Sequence, residues 1–184
     1  MTFPQQSQRT MLANEMQRTG LLEHPVPEAA WRWIDLFLTA FRDELGSIDD
    51  AIPLVRALRA EAVMVPALEL ERLRSREVVF YLDAVSQYVD AQSELRDLPL
   101  DNDLAEIANE FGLSKEDAFA AVRMALTGLL KGPPLPLLFP LLGHDRIMMR
   151  IGAISSHILH GRGLEPIKYG PDGQPFQPIH GTRP

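Results

Sequence analysis

The chain has 184 residues, 46% of them hydrophobic, no cysteine and a formal net charge of −7. Its length suits one domain or two small ones with a real core, and the missing cysteine excludes disulfide, thiolate and cysteine-ligated metal chemistry. An acidic chain is a poor general polyanion binder, so any contact with nucleic acid has to be local and shape-specific.

Residues 4–19 read as a helix, with Pro4 near its start and Gly20 as its stop. Pro25 and Pro27 mark a turn. Helix 28–45 follows, with Trp31, Ile34, Leu38, Phe41 and Leu45 on one stripe flanked by Trp33 and Phe37. That apolar face is wide enough for the central helix of the first half, and the two tryptophans read as core. Gly46 ends it. Ser47-Ile48-Asp49-Asp50 has the form of a capping box with aspartate in the acidic position. Pro53 is expected late in the first turn of the next helix, and Pro66 interrupts again. Ser75 caps a helix carrying Val78, Leu82, Val85 and Val89, predicted to run to about Arg96.

Leu98-Pro99-Leu100-Asp101-Asn102 is the best internal boundary. Beyond it the sequence predicts helix 103–111, a stop at Gly112, a cap at Ser114 and helix 115–127. Gly128 and Gly132-Pro133-Pro134 then break the chain rigidly, and a leucine-rich helix closes on Gly143. The last helix, 145–160, carries Ile147, Ile151, Ile154 and Ile158 on one face before Gly161. Residues 162–184 are rich in Gly, Pro and Gln and read as an irregular tail. No strand pattern and no repeat occurs. The expected fold is all-α, with helical subdomains at 1–98 and 99–161 packed together.

Only segment 144–184 is net positive, with five basic against three acidic side chains. No signal pattern opens the chain, and no apolar run reaches the ~18 residues of a membrane span. A cytoplasmic location without membrane contact is expected, and Met1 suggests a complete gene product.

Four features could carry function. Arg123 lies one position past the apolar stripe of Phe119, Val122 and Leu126, at the rim of the buried face beside the kink. There it is either a snorkelling arginine or the donor fork of a pocket for unstacked bases, with Pro133 and Leu135 as apolar faces. Residues 103–122 resemble a helix-turn-helix, but Glu116 and Asp117 would repel phosphates on the recognition face. Arg146, Arg150 and His157 lie away from the isoleucine stripe, as a solvated face or as phosphate contacts. His144, His157, His160 and His180 lack a cysteine or fixed carboxylate partner, so no metal is expected. A P-loop, G-x-G-x-x-G and G-x-S-x-G are all absent. No catalytic residue and no cofactor is expected.

Val122-Arg123-Met124-Ala125-Leu126-Thr127-Gly128, then Gly132-Pro133-Pro134-Leu135, then Leu141-Leu142-Gly143 resembles the C-terminal anticodon-binding region of bacterial glutamyl-tRNA synthetases. In that family an L-R-x-A-L-T-G helix end leads to a G-P-x-L loop, a helix and an L-L-G stop. The H-x-G-H and K-M-S-K-S-like motifs of its catalytic domain do not occur here. The resemblance implies an anticodon-binding region, stand-alone or excised, that binds the anticodon arm of a glutamate-type tRNA without aminoacylating it. Such a region would act with a separately encoded catalytic subunit, or as a paralogue given a new role.

Carried over, the base-contacting residues are Arg123, Gly132, Pro133 and Leu135, with Thr127 from the same signature. Arg146 and Arg150 are added as phosphate contacts. The family's arginine for the first anticodon base aligns near Glu44, with Arg42 beside it, which puts the reading of that base in doubt. The alternatives are a protein-interaction module on the same scaffold and, third, a helix-turn-helix DNA-binding protein. The tRNA reading predicts a positive patch around Arg123, Arg146 and Arg150. The interaction reading predicts an exposed apolar patch there.

Overall fold

The computed structural model describes residues 5–65, 69 and 73–160. Pro4, Pro66, Gly161 and the tail at 162–184 lie outside the described residues. Within them the chain is all-α: α1 (Gln5–Arg18), α2 (Glu28–Ala40), α3 (Ile48–Arg59), α4 (Arg76–Asp90), α5 (Leu100–Glu110), α6 (Lys115–Thr127), α7 (Leu135–Leu142) and α8 (His144–His160).

Local chemistry sets most of the ends. The Ser47 N–H donates to Asp50 Oδ2 at 2.8 Å, so aspartate serves in place of the usual glutamate at the start of α3. Ser75 Oγ accepts from the Val78 N–H, and Ser114 Oγ from the Asp117 N–H, both at 3.1 Å. Each such cap stabilises its helix by about 1 kcal/mol. Gly128 stops α6 in the left-handed region, at φ 75°.

Three boundaries differ from expectation. Phe41 leaves helical geometry at φ −107°, so α2 ends at Ala40 rather than at residue 45. Its ring instead packs on Phe37, with centroids 4.9 Å apart. The fourth helix stops at Asp90 rather than near Arg96, and Leu95 turns into the core. Leu100, 1% exposed, anchors α5 three residues earlier than expected, directly after Pro99. Pro53 is the sixth residue of α3 and so lies in its second turn, where the bond it forfeits is to the carbonyl of exposed Asp49.

The most extensive helix pairing joins α4 to α8. The valine stripe Val78, Val85 and Val89 with Leu82 meets Ile147, Ile151 and Ile154, all buried. The other helices close around this pair: α6 lies on α4, α5 and α8, while α7 lies on α2, α5 and α8. One continuous apolar cluster runs from Leu12 to Ile158. Trp33 stacks on Phe37 and donates its indole N–H to the Leu141 carbonyl at 2.9 Å, tying α2 to the end of α7. This core positions the kink after α6 between elements that are distant in sequence.

Candidate nucleic-acid interface

The site is built on the last two turns of α6 and the loop that follows. Gly128 is buried, and the backbone of Met64 crosses directly over it. Thr127 closes the helix end. Its hydroxyl donates to the Arg123 carbonyl at 2.8 Å and accepts from the Leu129 N–H at 3.2 Å. Thr127 therefore spends both capacities on the protein, in a back-bond and a local turn.

Arg123 is half-buried. Its Nη1 donates to the carbonyls of Gly132, at 3.1 Å, and Pro133. The guanidinium thus bridges the helix end to the rigid loop. Its Nε and Nη2 have no hydrogen-bond partner among the described residues. A planar fork held by one nitrogen keeps its other donors in a fixed direction. Burial lowers its pKa, opposed by the carboxylates of Asp101 and Glu44. The charge is kept throughout the physiological range, since guanidinium titrates far above it.

The loop differs from the expected apolar shelf. Pro133 is buried, and Leu135 is 1% exposed because it opens α7 with its side chain in the core. Gly132 and Pro134 are the exposed members. A ligand at this loop meets their backbone and the Pro134 ring.

Arg146 and Arg150 do not form a positive patch with Arg123. Arg150 is 3% exposed and His157 6%, so the face expected to be solvated is interior at both. Arg150 Nη1 donates to the Leu126 carbonyl, and Nη2 to the carbonyls of Ala57, at 2.8 Å, Leu58, at 3.1 Å, and Ala60. Half-buried Arg146 reaches the carbonyls of Arg59 at 3.3 Å and Leu142 at 3.4 Å. The reason is physical: the last carbonyls of α3 and α6 lack intrahelical donors and sit at the negative ends of their helix dipoles. A guanidinium satisfies both needs at once. Burial, with Arg146 nearby, pushes the Arg150 pKa down to about 10.

Asp101 and Glu44 are neighbours of Arg123 that sequence reasoning did not pair with it. Glu44, the residue expected to align near the family's first-base arginine, instead places a carboxylate within electrostatic reach of Arg123. Exposed Met64 and Leu129, at 67% and 60%, flank the Gly128 crossing.

The α6 helix buries Ala118, Ala121, Val122, Met124, Ala125 and Leu126, and the exposed residues of its first turn include the acidic Glu116 and Asp117, which would repel the phosphates of a DNA groove. The helix-turn-helix reading is therefore not supported. Among the described residues no three metal-ligating side chains gather, and no helix is long and apolar enough to cross a membrane.

Residues 20–154 match the family model described as an anticodon binding domain. Glutamate–tRNA ligase 2 of Caldanaerobacter subterraneus subsp. tengcongensis is 22% identical over 139 residues, 76% of this chain and 28% of that protein. The glutamate–tRNA ligase of Alkaliphilus metalliredigens is 27% identical over 128 residues, 69% of this chain and 26% of that protein. That of Natranaerobius thermophilus is 22% identical over 153 residues, 83% and 30% respectively. The chain thus spans less than a third of the length of these relatives. With the family model covering well over half of it, the chain belongs to the anticodon-binding domain family.

Proposed function

We propose that these residues bind the anticodon arm of a glutamate-type tRNA and do not aminoacylate by themselves, acting in the cytoplasm with a catalytic unit encoded separately. The division at Leu98–Asn102 into two subdomains belongs to the same proposal, with the second carrying the base contacts. The supporting observation is Arg123: one nitrogen is fixed on the Gly132 and Pro133 carbonyls, and its other two nitrogens have no hydrogen-bond partner among the described residues. That is the geometry a base edge requires. Exposed Gly132 and Pro134 supply backbone contacts and a ring face. Arg150 and Leu135 act from the interior, shaping the helix end and the loop, and Arg146 braces α3.

A second reading, a protein-interaction module on this scaffold, is favoured by exposed Met64 and Leu129 and by the acidic neighbours of Arg123. Titration with a glutamate-tRNA anticodon stem-loop, beside a scrambled loop, separates the two. Loop-sequence-dependent binding supports the tRNA reading. A folded protein that ignores both RNAs at low salt supports the interaction reading.

A further inference from the structure

A cleft of about 370 Å³ lies between α2, the connection 91–99 and α7. Its apolar floor comes from Leu36, Pro136, Leu137 and Pro140. Its polar rim carries Arg32, Asp35, Thr39, Arg96 and Asp97. None of these residues belongs to the Arg123 site.

The rim charges indicate the ligand class. Asp35 is engaged by Arg9 at 3.0 Å, and Arg32 faces Glu28 at 3.8 Å. Arg96 and Asp97 remain, both exposed and without an ion pair or hydrogen bond among the described residues. Asp97 holds the left-handed conformation at φ 57°, unusual outside glycine, in the turn that carries both side chains. The rim is therefore balanced in charge and offers one free donor fork beside one free acceptor. A phosphate would meet as much repulsion as attraction. A nucleobase, uncharged and flat, with donors and acceptors on its edge, matches both the rim and the proline floor. The volume is at the small end for ligand sites, which suits a single planar group rather than a peptide segment.

Position links the cleft to the loop. Pro136 is four residues past Gly132, so the two are at most about 14 Å apart along the chain. A few nucleotides of an unstacked strand span that gap.

We infer that this cleft seats a further base of the RNA strand held at Arg123, with Arg96 and Asp97 reading its edge. The inference rests on the RNA-binding reading. It is tested by fluorescence anisotropy with the labelled glutamate-tRNA anticodon stem-loop and a series of the same RNA made abasic at one loop position each. Wild type is compared with Arg96→Met and with Arg56→Met, an exposed arginine outside the cleft. Both side chains are exposed and neither makes a hydrogen bond or ion pair among the described residues, so both variants are expected to keep the fold. Arg96→Met is expected to weaken the parent stem-loop about tenfold or more, the loss of a charge-assisted hydrogen bond. One abasic RNA is expected to bind wild type and Arg96→Met equally, because the base that Arg96 reads is gone. Arg56→Met is expected to affect all the RNAs alike and weakly.

Arg96→Met acting equally on every abasic RNA, or on none, overturns the inference and leaves the Arg123 reading standing. Wild type that binds no stem-loop at all removes both. AMP, CMP, GMP and UMP are titrated in parallel. A mononucleotide that binds through Arg96, with stem-loop affinity unchanged by Arg96→Met, assigns the cleft to free nucleotides and also overturns it.

Discussion

Gly128 lies directly under the Met64 carbonyl: a Cβ on Gly128 would stand 2.3 Å from that oxygen. The end of the site helix and the chain leaving α3 are thus packed backbone to backbone. Gly112 holds a similar left-handed conformation, φ 70° against 75°, but a Cβ there would meet nothing within 4 Å. Gly112→Ala should cost only the left-handed penalty, about 1–2 kcal/mol. Gly128→Ala should cost about 2–5 kcal/mol, since overpacking is added to strain. Urea unfolding of the two variants checks the difference. Equal losses would mean that the crossing is not tight.

Arg150 ties the ends of α3 and α6 through four carbonyls. Arg150→Met leaves these acceptors without a donor and is expected to cost about 2–4 kcal/mol. Arg150→Lys keeps the charge but loses the fork, and should fall between wild type and Met. Thermal unfolding of the three proteins gives the order directly.

His157 is buried, and its Nε2 has no partner among the described residues. Burial first, and Arg74 second, lower its pKa from 6.5. The unfolded chain therefore binds this proton more readily than the folded one. Stability from keeping His157 neutral is present above pH 6.5 and is lost as pH falls below that value through the lowered folded-state pKa. Wild type should lose stability between pH 7.5 and 5.5, in urea titrations at about those two pH values, and His157→Leu should lose less. Parallel curves for the two proteins would contradict the assignment.

Tyr88 donates its phenolic O–H to Asp103 Oδ2 at 2.5 Å, joining α4 to α5. Burial, and then that bond to a carboxylate, raise its pKa from 10 to about 12. A raised folded-state pKa gives stability that is complete below pH 10 and disappears as pH rises toward 12. Tyr88→Phe should lose about 1 kcal/mol at neutral pH and show a shallower decline above pH 10. Stability measured against pH for both proteins tests this.

What was legible in the sequence was local. Ser47, Ser75 and Ser114 announced their helices because a cap involves residues only three apart, and the glycine stops at 20, 112, 128 and 143 follow the same logic. The isoleucine stripe of α8 was readable from its period. What was not legible depended on distant partners. Arg150 read as a surface residue because its acceptors, at 57, 58, 60 and 126, come together only in the folded chain. Leu135 read as a shelf because the loop pattern does not reveal which way α7 turns its first side chain. The approach of Asp101 and Glu44 to Arg123 is hidden for the same reason.

Under the proposed function, Arg123 reads an anticodon base with the donors its loop leaves free. The most direct test is the affinity of wild type, Arg123→Lys and Arg123→Ala for the glutamate-tRNA anticodon stem-loop and for scrambled loops, across salt concentrations. Wild type is expected to prefer the cognate loop, and Arg123→Lys to lose this preference while keeping its salt dependence, because charge survives and the fork does not. Arg123→Ala should bind both RNAs weakly. Wild type that does not distinguish the loops, or Arg123→Lys that retains the full preference, would contradict the claim.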